Sequence, residues 1–184
     1  MTIMARFKTL AAYAAALVFL MPLAADAHGP TRQKVSETVE INAPAAKVWA
    51  RIGSFQDIGW LPGVEKTEGQ GGNEPDKATR HIILKGGATV DELLYKYDAD
   101  AMSYGYGITK VDVKVLPVND YSSTITVTAE GDGKSKVEWR GAFYRGFMNN
   151  DPPPELSDEA ATKAVSGLYR SGLDSLKKEL EAAK

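Results

Sequence analysis

No cysteine occurs among the 184 residues, which removes disulfides, thiolate nucleophiles, iron–sulfur ligation and Cys-based zinc sites at once. Histidine is almost as scarce. His28 and His81 alone are available for imidazole chemistry, so the common nucleophile and metal constellations have little to build on. An excess of one charge is also missing: 22 basic and 24 acidic side chains give a formal net charge of −2 with no long basic run, and no nucleic-acid footprint is expected. The apolar run from Leu10 to Met21 falls short of the roughly 20 residues a membrane-spanning helix needs. What is present is a chain 43% hydrophobic, able to bury a real core in one domain or two small ones.

Arg6 and Lys8 precede that apolar run, and Pro22 and the small-residue pattern Ala25-Asp26-Ala27 follow it. This is the layout of a secretory signal peptide. Residues 1–27 are therefore expected to be removed after Ala27, leaving a single domain over 28–184 that is mildly acidic, exported to a bacterial periplasm, and free of any membrane span. In an oxidising compartment without cysteine, packing alone must hold the fold.

Val35, Val39 and Ile41 alternate with Ser36, Thr38 and Glu40, predicting a half-buried strand over 33–41. Asn42 is expected to cap a short helix over Ala45 to Ile52, with Pro44 in its first turn and Gly53 at its end. Phe55, Ile58, Trp60 and Leu61 lie among Gly59 and Pro62, read as a second short helix followed by a turn. Near-period-two segments follow at 64–68, 78–85, 88–97, 102–108, 123–129 and 135–144, with 111–118 read as a continuation or a bulged neighbour. Gly86-Gly87 and Glu130-Gly131-Asp132-Gly133 mark turns. Asp151-Pro152-Pro153-Pro154 is read as a non-helical linker. Ser157 or Asp158 then caps a helix to about Ala182, with Ala161, Val165, Leu168, Tyr169, Leu173, Leu176 and Leu180 on one side.

The order predicts an α+β fold: a curved antiparallel sheet of six to seven strands, two short helices after the first strand, and a long C-terminal helix covering the concave face. Large aromatics on the strands would face Gly167 and Gly172 on that helix. Such an opposition is either tight packing or a pocket.

On this plan the segments APAAKVWARIGSFQDIGWLPGV and GATVDELLYKYDADAMSYGYGI resemble the SRPBCC superfamily, whose helix-grip fold is shared by Bet v 1-like (birch-pollen-allergen), START and polyketide-cyclase-like proteins. The resemblance covers residues 33–182. HGPTRQKV, LPVNDYSSTITV and KVEWRGAFYRGFMNNDPPPELSDEAATKAV are similar to the narrower MxaD family of exported proteins. That resemblance implies an accessory role in periplasmic methanol oxidation, with methanol dehydrogenase and its cytochrome c electron acceptor as partners. In one respect the chain departs from the pattern. Many relatives carry His between the Trp and Pro of the second short helix, where this chain has Leu61.

Glu92 shares a strand face with Val90 and Leu94, so alternation aims its carboxylate inward. It is either a polar anchor for a ligand or a structural carboxylate. Trp60, Tyr104, Tyr106, Trp139, Phe143 and Tyr169 join Glu92 and Leu94 as candidate cavity lining, with core packing as the other reading. His28, as a new N-terminus, has only the outward-facing His81 to help it hold copper, which is too little. Asp151, Glu155, Asp158 and Glu159 lack the spacing of a calcium loop and are read as helix-end charges. The Gly69 to Gly72 loop lacks a following Lys-Ser or Lys-Thr, so it is no phosphate cradle. Tyr144, Arg145, Phe147 and Met148, beside the prolines, are a candidate docking patch. No catalytic residue, metal or cofactor is assigned. The expected function is a non-enzymatic periplasmic helper of methanol dehydrogenase, with a carrier of a small apolar ligand as the alternative and a Glu92-dependent cyclase or hydrolase third.

Overall fold

The computed structural model describes residues 29–182. The expected signal segment 1–27, its cleavage site and His28 lie outside them.

Strand β1 (Gln33–Ile41) buries Val35, Val39 and Ile41, as its alternation predicts. Helix α1 (Ala45–Ile52) follows and sets Ala45, Val48 and Ile52 into the core. Its cap differs from expectation. Pro44 occupies the N-cap with no side-chain bond, whereas Asn42 donates its backbone N–H and Nδ2 to Glu181 Oε1, both at 2.8 Å. The amide is drawn to the far end of the chain instead of closing α1. Gly53 ends the helix by donating to the Trp49 carbonyl at 2.7 Å.

The expected second helix is absent. Residues 54–63 make isolated turns, Asp57 N–H to the Ser54 carbonyl and Leu61 N–H to the Ile58 carbonyl, because Gly59 and Pro62 interrupt any longer ladder. The apolar residues are still buried: Phe55, Ile58, Trp60 and Leu61 all enter the core.

Six further strands complete the sheet: β2 (Val64–Gln70), β3 (Thr79–Leu84), β4 (Thr89–Asp98), β5 (Ser103–Val111), β6 (Val118–Ala129) and β7 (Ser135–Arg145). The order is β1-β7-β6-β5-β4-β3-β2 with every pair antiparallel. Residues 112–117 are not strand, contrary to expectation. Asp112 turns the chain, its side chain accepting from Lys114 N–H and its carbonyl from Val115 and Leu116.

Pro154 opens a single 3-10 turn, Pro154–Leu156, where the linker reading predicted no helix; proline tolerates the first helical position because that N–H would be unpaired anyway. Helix α2 (Asp158–Ala182) is capped by Ser157, whose Oγ accepts from Ala160 N–H at 3.2 Å. Its 25 residues span about 37 Å. It packs along β1 and β7. Glu37 of β1 latches it, accepting from Ser166 Oγ at 2.5 Å and Arg170 Nη2 at 2.8 Å. The two helical glycines part company here. Gly167 is exposed and opposes nothing, but a Cβ on Gly172 would come within 2.8 Å of Leu61, 2.9 Å of Trp139 and 3.1 Å of Trp60. Only Gly172 is the notch in which α2 meets the indoles.

Candidate functional site

The concave face of the sheet carries the side chains that alternation aims inward, and they pair with one another. Glu92 on β4 lies opposite Arg80 on β3. Arg80 Nε donates to Glu92 Oε2 in a close ion pair, and Nη1 donates to the Phe55 carbonyl at 2.7 Å. The guanidinium lies over the rings of Phe55 and Tyr106, 4.3 and 4.8 Å from their centroids. Both charged side chains are buried. Burial pushes the Glu92 carboxyl above its usual range against the pull of Arg80. Burial alone would lower Arg80, yet the Glu92 charge holds it above its ordinary value. Protonating Glu92 would leave a permanent cation unpaired in the interior, so the pair stays ionised near neutral pH.

A second network joins the sheet to α2. Tyr169 of the helix stacks on Trp139 of β7 at 4.3 Å between centroids. Its hydroxyl meets Tyr121 Oη at 2.6 Å and Ser123 Oγ at 3.0 Å. Trp139 Nε1 donates to Ser123 Oγ at 2.8 Å and Tyr106 Oη at 3.2 Å. Gly141 leaves the room this needs, since a Cβ there would stand 2.1 Å from the Tyr169 hydroxyl. Burial pushes the phenols of Tyr106 and Tyr121 well up and that of Tyr169 up to about 12. These shifts run away from phenolate formation, leaving the hydroxyls as hydrogen-bonding groups.

Between Leu61, the β3–β5 strands, the 112–117 turn and Leu168 of α2 remains a small cavity of about 100 Å³. Of the candidate cavity residues, Glu92, Tyr106 and Trp139 reach its wall. Trp60, Leu94, Tyr104, Phe143 and Tyr169 instead pack the core: Trp60 on Trp139, Tyr104 on Phe55, Phe143 on Tyr121, and Leu94 opposite Tyr106. Sequence reasoning missed Arg80, Tyr121 and Ser123. Arg80 lies two residues from buried Ile82, and Tyr121 and Ser123 lie at even spacing from buried Ile125, which is the signal that points to them.

The docking patch divides. Met148 is 46% exposed, and Tyr144 is half-buried with Arg32 5.5 Å above its ring. Arg145 is buried and fully engaged: it meets Asp158 at 3.1 Å and donates to the carbonyls of Phe147 and Asn149. It therefore ties the 146–151 loop to the start of α2 and offers no surface to a partner. Val115, 38% exposed on the neighbouring turn, is an apolar residue the patch reading left out. His81 faces outward and pairs through Nδ1 with Asp91. Among the described residues no three His, Asp or Glu side chains are arranged to hold a metal ion, and no helix is long and apolar enough to cross a membrane.

A family model described as "Polyketide cyclase / dehydrase and lipid transport" matches residues 32–181. An uncharacterised protein from Bacillus thuringiensis is similar in sequence and structure, at 30% identity and a TM-score of 0.68 over 81% of this chain and 99% of that one. The protein XoxI from Bacillus cereus gives 30% identity and 0.68 over 80% and 95%. Norcoclaurine synthase from Thalictrum flavum, solved with dopamine and hydroxybenzaldehyde, shares the fold at 17% identity and a TM-score of 0.63, over 85% and 90%. No curated protein matches the chain in sequence. The sheet, the gripped helix and a match over nearly all the described residues agree: the chain belongs to the SRPBCC-like polyketide cyclase / dehydrase and lipid transport family.

Proposed function

We propose that this protein is a non-enzymatic periplasmic accessory of methanol oxidation, exported through the segment 1–27 and acting by contact with methanol dehydrogenase or its cytochrome c. One observation carries the contact reading: the grip is filled by its own aromatic side chains, with about 100 Å³ left over. Ligand pockets usually enclose about 300–1,000 Å³. The single carboxylate inside is paired with Arg80, and the cavity wall holds no histidine and no second carboxylate to work with it, which weighs against general acid–base chemistry. The methanol part is supported by the MxaD-like segments over 28–35, 116–127 and 136–165, an argument from similarity alone.

The test is direct. Purified mature protein is titrated into methanol dehydrogenase and into its cytochrome c by surface plasmon resonance, and cytochrome reduction is followed with and without it. Association in about the micromolar range with at least one of them, together with faster reduction, is the expected result. Loss of both effects overturns the reading.

The cavity favours a second reading. It is enclosed by Ile58, Leu61, Ile82, Val90, Ile108 and Leu116, an apolar wall suited to a molecule of about one ring. Saturable quenching of Trp139 fluorescence by benzene-sized ligands would support carriage; an unchanged spectrum would remove it.

A further inference from the structure

We propose that the outer face of the sheet, on the side away from α2, is a docking trough for an extended acidic segment of a protein partner. The inference rests on the contact reading above and supplies its surface. One cross-strand row runs over five strands: Ser36 lies opposite Arg140, Arg140 opposite Thr124, Thr124 opposite Gly105, and Gly105 opposite Lys96. In the next row Lys34 lies opposite Ala142, Ala142 opposite Ser122, and Ser122 opposite Gly107. Small residues at the centre and long cations at the ends leave an open depression of about 630 Å³. Tyr95 closes one end. It is the extra residue of a bulge between Leu94 and Lys96, and its ring lies on Gly107, where a Cβ would stand 2.4 Å from the phenol oxygen.

Lys34, Lys96 and Arg140 are exposed, and among the described residues none of their side chains has an ion-pair or hydrogen-bond partner. Elsewhere among the described residues nine basic side chains meet a carboxylate, and the unmatched lysines are spread over turns, the end of β5 and α2. On a chain of formal charge −2, what sets Lys34, Lys96 and Arg140 apart is that all three line one depression. Their spacing states what would fit. Arg140 and Lys96 stand three strands apart, about 14 Å at ~4.8 Å per strand, and an extended chain rises ~3.4 Å per residue. Acidic residues four positions apart on one face of such a segment meet both, with Lys34 available to a further carboxylate. Thr124 offers its hydroxyl to the backbone between them, while the Ser36 and Ser122 hydroxyls are held by Glu138 and by the Ala142 carbonyl. Glu138 and Asp98 carry the neighbouring row and repel an acidic segment displaced toward them, which fixes its position.

The probe is fluorescein-labelled octaglutamate, with octaglutamine as control, read by anisotropy against the purified protein. Octaglutamate is expected to bind at low salt and to weaken at least about tenfold at ~0.3 M salt. Lys96→Glu with Arg140→Glu is expected to weaken it at least about tenfold without moving the melting temperature. Lys163→Glu with Lys178→Glu makes the same change in net charge on α2 and is expected to leave binding nearly unchanged. Equal loss in both double variants, or equal binding of octaglutamine, overturns the proposal. So does binding of phosphatidylglycerol vesicles, and not of the peptide, through Lys96 and Arg140; that result would assign the trough to a lipid surface. If methanol dehydrogenase or its cytochrome binds the trough variant undiminished, the trough fails and the contact reading stands. If neither binds while octaglutamate still does, the contact reading fails and the trough stands.

Discussion

Trp139 and Arg140 are neighbours in the chain and opposites in every other respect. Trp139 is 1% exposed, stacked on the closing helix and hydrogen-bonded through its indole N–H; Arg140 is exposed and unmatched among the described residues. The same contrast holds across the whole sheet. Its inner face is aromatic, with Glu92 paired to Arg80 and the tyrosine hydroxyls mostly joined in one network. Its outer face is hydroxyl-rich, with the side chains of Lys34, Lys96 and Arg140 unmatched among the described residues. Period-two geometry lets one set of strands carry two separable tasks, cohesion on one side and contact on the other.

That separation can be attacked from the inside outward. Arg80→Met leaves Glu92 buried without its counter-charge and is expected to lower stability by about 3–5 kcal/mol in urea titrations. Adding Glu92→Leu should restore most of it, because the full pair replaced by apolar groups strands no charge. Gly141→Ala drives a Cβ into the Tyr169 hydroxyl and is expected to lose about 2–3 kcal/mol. Tyr169→Phe in the same chain should recover part of that loss, a non-additivity that a purely backbone effect of the alanine would not produce.

The helix latch gives a smaller, pH-dependent effect. The Ser166 hydrogen bond, with Arg170 beside it, holds the Glu37 carboxyl below its ordinary 4.5 in spite of partial burial. A carboxyl depressed in the folded state stabilises fully above its unfolded value, and the stabilisation is lost as pH falls through the lowered folded value. Wild-type stability should therefore decline below about pH 4.5 more steeply than that of Glu37→Gln; parallel curves would remove Glu37 as the latch. Smallest of all, Lys96→Glu and Arg140→Glu should each change stability by no more than about 0.5 kcal/mol. A larger loss would break the division of labour between the faces.

Much of the inner face was legible because alternation is a strong signal where one side is buried. It aimed Glu92, Tyr104, Tyr106, Trp139 and Phe143 inward, and the 3.6-residue stripe did the same for Tyr169. The partner of Glu92 was harder to see. Gly86 and Gly87, with φ of +98° and +84°, invite a two-residue turn, yet Leu84 N–H donates to the Ala88 carbonyl across a three-residue loop. A register one residue away would have set Arg80 against Leu93, and only the true pairing joins Arg80 to Glu92. Residues 54–63 misled for another reason: their apolar spacing is set by consecutive turns around Gly59 and Pro62, and no single period describes it. Arg145 looked like an interface residue by type alone; its burial follows from Asp158, thirteen positions on, a tertiary contact no local pattern encodes. The trough went unnoticed because its members are scattered over β1, β4, β5, β6 and β7 and meet only through pairing.

Gly172, lodged between Leu61 and two indoles, belongs to the final stretch of the chain. Every strand precedes in the chain the helix that covers its aromatic side, so that side stays wet and sticky until α2 docks. A chain cut before Leu173 would lack the buried Leu173, Leu176 and Leu180 of that helix, and aggregation through the uncovered aromatic side is its natural outcome.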